Sequence, residues 1–184
     1  MKIFIDPDAS QISSAGDFYK NPCIDKKGCW LPIEVNQQLK SRWCWAAIAC
    51  SVGAYYDTIH IEQAELVNRL LPDDDTERNI NFKLDVALKY INCFSHWTIG
   101  KPTFERIQFE INQGRPLGVR LEWFKGGAHY ILINGYNSED GSIFIEDSLH
   151  NRSVQDFNQF PDHYRVSGAV WTEIYWTNKL TTNK

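Results

Sequence analysis

The chain has 184 residues, 43% apolar and 14% aromatic, and a formal net charge of −4. That length suits one domain burying roughly 70% of its unfolded surface, and the apolar content excludes a disordered chain. The acidic balance gives no general attraction for nucleic acid or an acidic lipid surface, and no run approaches the ~20 apolar residues of a membrane span.

Met1 to Asp8 hold one lysine followed by acids, with no sustained apolar region, so the start does not read as a secretory signal. A cytoplasmic location is the default expectation, although export by a signal-less route would leave the same sequence. Residues 1–36 contain Pro7, Pro22, Gly28 and Pro32 and read as an extended arm wrapping a single domain over 37–177. That domain divides into a helical part, 37–114, and a β-sheet part, 115–177, followed by a flexible tail, 178–184. Cys23 and Cys29 would close a small disulfide loop in an oxidising compartment and stay thiols in the cytosol. Cys44, Cys50 and Cys93 complete the set. No two cysteines stand two to four residues apart as structural zinc sites usually require, so no metal or cofactor is expected.

Residues 43–56 are apolar nearly all round, as in a central buried helix. Residues 60–71 place Ile61, Ala64, Leu66 and Leu70 at helical spacing and stop at Pro72, which predicts a surface amphipathic helix. Asp73-Asp74-Asp75 reads as a solvated linker. Phe82, Val86, Ala87 and Tyr90 mark a helix over 82–91, and His96 falls in a loop. Thr103 is suited to cap a helix running to Asn112 and ending at Gly114. Strands are expected over Leu117–Trp123, His129–Tyr136, Ser142–Asp147 and Ala169–Thr177.

Asn137-Ser138-Glu139-Asp140-Gly141 is a turn cluster between two isoleucine-rich strands, so the middle pair forms a hairpin. A turn centred on Ser138 sets Asn134 opposite Ser142, Ile131 opposite Ile145 and His129 opposite Asp147. A carboxylate placed there would orient the imidazole and stabilise its protonated form, leaving the other ring nitrogen for a nucleophile.

The nucleophile is Cys44. It opens the buried helix, where unpaired N–H groups and the helix dipole favour a thiolate. Gln38, six residues upstream, is placed to donate one hydrogen bond to an oxyanion; Gln37 is its rival. Each residue alone has a duller reading: a small core hydrophobe for Cys44, an edge residue for His129, a turn cap for Asp147. Their conjunction favours chemistry.

The chain resembles the papain-fold cysteine peptidases. The resemblance rests on Gln38 and Cys44 at a spacing of six, the Cys44-Trp45-Ala46 triplet, His129 followed by Gly135-Tyr136, and Asp147-Ser148 after the next strand. The Trp43-Cys44-Trp45-Ala46-Ala47 form is most similar to the compact bacterial branch of AvrRpt2-like effector proteases, with bacteriocin-leader peptidases as more distant cousins. The resemblance implies an α+β fold, a helical half carrying the cysteine packed on an antiparallel sheet half. It implies a cysteine peptidase with Cys44 as nucleophile, His129 as base, Asp147 as orienting acid, and Gln38 with the Cys44 N–H as oxyanion hole. The partner implied is a protein or peptide substrate, in bacterial processing or effector action. No residue names an immunity or activating partner protein. The chain departs from the family's larger members in the short step of 85 residues from Cys44 to His129, in Asp147 where asparagine is usual, and in bulky Trp43 before the nucleophile. Two other uses of such a constellation stand beside hydrolysis: acyl transfer to an amine, as in a transglutaminase, and a catalytically silent binding module.

Overall fold

A computed structural model of the protein describes residues 27–72 and 79–180. The readings of Cys23, of the acidic linker and of the arm before residue 27 lie outside the described residues. The described elements run β1 (Gly28–Trp30), α1 (Cys44–Tyr55), α2 (Gln63–Leu70), α3 (Leu84–Tyr90), β2 (Phe94–Ile99), α4 (Phe104–Asn112), β3 (Leu117–Trp123), β4 (Ala128–Asn137), β5 (Ser142–Glu146), β6 (Ser153–Asp156) and β7 (Ala169–Thr177). The architecture is α+β, with helices packed on one antiparallel sheet.

α1 is the central helix. Nine of its twelve residues are buried, and the small side chains of Ala46, Ala47, Ala49 and Gly53 let its neighbours approach closely. Trp45 on α1 is fully buried, packs its ring against Phe82 at 4.9 Å and donates its indole N–H to the Ile80 carbonyl at 3.1 Å. Burial is thus achieved without an orphaned polar atom on that ring. α4 begins as the sequence suggests, with the Thr103 hydroxyl accepting from the Arg106 backbone N–H at 3.3 Å. α2 starts three residues later than expected, because Glu62 is extended and the helical turn begins at Gln63.

The sheet order is β2-β7-β3-β4-β5-β6, and β1 pairs with β4. β4 is buried without a break from Ile131 to Tyr136, as expected for a strand covered on both faces. Residues 135–137 of β4 bond to both β5 and β1. Gly135 is required by that crowding, since a Cβ there would lie 2.5 Å from the Phe144 ring and 2.7 Å from the Cys29 carbonyl. Two strands lie outside the expected 115–177 stretch. β1 comes from the arm, and β2 occupies residues 94–99, including His96, where the sequence suggests a loop.

The hairpin register also differs from the expected one. Asn137 pairs with Ser142 and Tyr136 with Ile143; beyond an irregularity at Asn134, Ile133 pairs with Ile145 and Leu132 with Glu146. Asn134 therefore does not face Ser142, nor Ile131 Ile145. Two local causes act. The turn is four residues long, Ser138–Gly141, with Gly141 left-handed at φ +68° and the Asp140 carboxylate accepting from the Ser142 N–H at 3.1 Å, so its centre falls after Ser138. Asn134 forms the bulge because it serves the arm instead: its carbonyl accepts from the Leu31 N–H at 2.8 Å, and its side-chain amide donates to the Leu31 and Ile33 carbonyls and to Glu146.

Candidate active site

Cys44 is the first residue of α1 and 6% exposed. Trp43 precedes it without contributing a side-chain cap, so the helix start keeps the partial positive charge of unpaired N–H groups next to the sulfur. The Ala47 N–H to Trp43 carbonyl bond, 3.0 Å, closes the first turn.

His129 stands near the start of β4, where β3 and β4 join by a tight turn. The turn uses Gly126 and Gly127 at φ +92° and +88°, a conformation costly for residues with a Cβ. His129 is 4% exposed; its Nε2 lies 2.7 Å from Asp147 Oδ1. Asp147 follows the last residue of β5. The β4–β5 ladder at this end would set Asp147 level with Ile131, so the two side chains meet along the diagonal of the hairpin, a span within reach of an imidazole. The register shift there is by an even number of residues, which keeps both groups on the same face of the sheet.

Asp147 is 2% exposed and its carboxylate is well supplied with donors. Oδ1 also accepts the Leu149 N–H at 2.8 Å and the His150 N–H at 3.1 Å, and Oδ2 accepts the Tyr164 hydroxyl at 2.8 Å. The turn-capping reading of Asp147 therefore holds together with its pairing to His129. Burial opposes ionisation of Asp147, yet the hydrogen bond and charge of His129, with the Leu149 and Tyr164 donors, outweigh it and lower its pKa to about 2. Burial likewise works against a charged His129. The Asp147 hydrogen bond, a hydrogen bond with Cys44 and the charges of both partners prevail, and the pKa rises to about 9. Cys44, His129 and Asp147 thus come together as one buried group.

Aromatic rings close this group off from water. Trp123 stacks on His129 (6.1 Å, 19°) and on Tyr164 (6.0 Å, 8°). His150 meets His129 edge-on at 6.1 Å, and burial lowers its pKa. Burial and the nearby Asp147 charge raise the Tyr164 pKa, so at neutral pH the phenol keeps its proton and can donate it.

Gln38 joins the site through its partners. Its side-chain Oε1 accepts the Ser148 hydroxyl at 2.9 Å, its Nε2 donates to the Lys40 carbonyl at 2.9 Å, and its backbone N–H donates to the Ser148 carbonyl at 3.0 Å. One Nε2 hydrogen remains for another acceptor. The rival Gln37 side chain is exposed, and its carbonyl is engaged by Gln63. The Asp147-Ser148 dipeptide holds the histidine with one residue and Gln38 with the next.

Beside Cys44 opens a cleft of about 780 Å³ lined from both halves of the molecule by Trp45, Phe82, Trp97, Tyr130 and Tyr175. Among the described residues no three His, Cys, Asp or Glu side chains gather as metal ligands, and Cys44, Cys50 and Cys93 are free. Sequence reasoning missed Tyr164, Trp123 and Gln63. Tyr164 lies 17 residues from Asp147 and Gln63 lies 24 from Leu39, and no local pattern marks any of the three.

A thiol at the start of a buried helix, packed with a buried histidine on the central strand of an antiparallel sheet, is the arrangement of a papain-like fold of the cysteine-peptidase type. The chain belongs to the family of papain-like cysteine proteases represented by AvrRpt2, which matches residues 27–165 of the 184. It is a cysteine-type peptidase by that membership. Among solved structures it is similar to a double-glycine-motif protease from an AMS/PCAT transporter, in complex with the leader peptide. The two share 13% sequence identity at a TM-score of 0.51, over 85% of this chain and 97% of that one, a likeness of fold. No curated protein matches the chain. No helix among the described residues is long and apolar enough to cross a membrane.

Proposed function

We infer that the protein hydrolyses peptide bonds with Cys44 as nucleophile, His129 as general base and acid, Asp147 as the group orienting His129, and Gln38 with the Cys44 N–H as the oxyanion hole. The observation that carries this reading is the buried His129, whose Nε2 lies 2.7 Å from Asp147 Oδ1 and whose ring also interacts with Cys44. His129 takes the thiol proton to give a thiolate–imidazolium pair, and the sulfur of that pair attacks the scissile carbonyl carbon. The resulting oxyanion accepts from the Cys44 N–H and the spare Gln38 Nε2 hydrogen. Collapse expels the amine, which leaves with the proton from His129. Water then loses a proton to His129 and attacks the thioester; the carboxylic acid departs and Cys44 is restored. With its pKa near 9, His129 is a cation at neutral pH, the form able to pair with a thiolate.

The substrate is a protein or peptide, threaded through the cleft beside Cys44 between the two halves. The solved leader-peptide complex of the similar double-glycine protease supports a peptide occupant for such a cleft. Processing of a bacterial precursor and effector cleavage of a foreign protein both fit this chemistry.

The test is a proteome-wide comparison of new N-termini produced by the wild type and by Cys44→Ala. Termini that depend on Cys44 are expected. Their absence under several conditions overturns hydrolysis.

A further inference from the structure

The inner end of α2 carries a buried polar side chain that the mechanism above does not use. Gln63 is 6% exposed, and both ends of its amide are spent on backbone. Its Oε1 accepts the Leu39 N–H at 3.0 Å, and its Nε2 donates to the Gln37 carbonyl at 2.9 Å. The two backbone groups flank Gln38 on either side. Between them, the Gln38 N–H is held by the Ser148 carbonyl at 3.0 Å. The segment 37–39 belongs to no strand or helix, so no ladder or helical turn fixes it. Its backbone is held by these three bonds, two of them made by one side chain, and the Gln38 side chain adds its own bonds to Ser148 and Lys40.

We propose that Gln63 is a positioning residue of the oxyanion hole: it fixes the backbone on both sides of Gln38, and so the line along which Gln38 Nε2 meets the developing oxyanion. The proposal rests on the peptidase reading above. An amide is the side chain this task requires, since it must accept at one end and donate at the other. Glutamate in its ionised form offers only acceptors, and methionine offers neither function at nearly the same length. Misplacing a donor by about 1 Å is costly in a preorganised site, whereas removing one outright commonly costs about 10²–10³ in rate. Loss of the clamp leaves Gln38 present but loosely aimed, so its effect falls below the cost of outright removal.

The experiment takes a fluorogenic peptide that the wild type cleaves, selected from a pooled peptide library, and compares the wild type with Gln63→Met and Gln63→Glu. Two further readouts accompany kcat and KM: amide hydrogen exchange at Leu39, and the rate at which iodoacetamide alkylates Cys44, a displacement that forms no tetrahedral oxyanion. For Gln63→Met the expected result is a kcat lower by about tenfold, little change in KM, faster exchange at Leu39, and an unchanged alkylation rate. Gln63→Glu keeps the Leu39 bond, and its carboxyl regains a donor when protonated, so its activity relative to wild type should recover as pH falls. Wild-type kcat in Gln63→Met overturns the proposal, whether or not Leu39 exchanges faster. An equal loss of alkylation also overturns it, because the damage would then lie in Cys44 or the whole fold. A wild type that alkylates at Cys44 but cleaves no peptide overturns the peptidase reading and this proposal with it.

Discussion

On the helical side of the cleft, Gln38 is held by neutral hydrogen bonds and Cys44 by the geometry of α1. On the sheet side, His129 and Asp147 are held by opposite charges out of contact with water. Neutral bonds contribute about 0.5–1.5 kcal/mol each and those to charged groups about 1.5–3, so the sheet wall is tied more tightly per contact. It is also the wall that pH can undo. His129 is raised from its ordinary 6.5 to about 9, so its contribution is complete below 6.5 and lost as pH rises through about 9. Asp147 is lowered from 3.8 to about 2, so its contribution is present above 3.8 and lost as pH falls through about 2. The amides and hydroxyl around Gln38 do not titrate over that range. One wall is therefore governed by charge and the other by alignment.

Asp147→Ala attacks the charged wall directly and has the largest expected effect among the positioning groups. It removes both the charge and the acceptor that holds His129 Nε2, and leaves the buried imidazole without an orienting partner. A fall in kcat/KM of about 10³–10⁴ is expected, as for an orienting acid in other triads. The alkaline limb of the pH–rate profile should move down from about 9, because the burial that opposes the imidazolium remains while its counter-charge is gone. A limb that stays in place would show that charge is not what holds His129. Gln38→Ala is the matching change on the other wall. It should lower kcat by about 10²–10³ while leaving both pH limbs where they are. A shifted limb in Gln38→Ala would break the division of the two walls.

The same contrast explains how much was legible in the sequence. Elements defined by their own periodicity stood out: α1 as a continuous apolar run, α4 by its Thr103 cap, and β3 and β7 at their observed limits. β2 was hidden because five of its six residues are exposed, so it has no buried–exposed alternation; its pairing with β7 makes it a strand. β1 is three residues long and is a strand only because β4 binds it. In the proposed site, Gln38, Cys44, His129 and Asp147 are legible because their spacings resemble a known pattern. The register expected from the turn differs from the observed one, yet His129 and Asp147 still meet. The even size of the shift preserved the face, and the length of the imidazole covered the remaining offset. Tyr164 and Gln63 were invisible because each reaches its partner through the fold, not through sequence spacing.

Tyr164→Phe is the finest test of the division between the walls. The phenyl ring can keep its stack on Trp123 while Asp147 Oδ2 loses the hydroxyl that binds it at 2.8 Å. Both residues are 2% exposed, so water does not readily replace the missing donor, and stability at neutral pH should drop by about 1.5–3 kcal/mol. Because the hydroxyl helps to hold Asp147 ionised, its loss raises the Asp147 pKa from about 2. The low-pH loss of stability should therefore begin at a higher pH than in the wild type. The stability gap between the two proteins should also narrow as Asp147 becomes protonated in both. The rate should fall by no more than about tenfold, since at most ~1.4 kcal/mol of alignment reaches the transition state, and the alkaline limb should stay near its wild-type position. Thermal unfolding followed across pH, beside a pH–rate profile, separates these effects. A gap that stays constant with pH would mean that Tyr164 supports the fold by packing alone and that the charge on Asp147 does not depend on it.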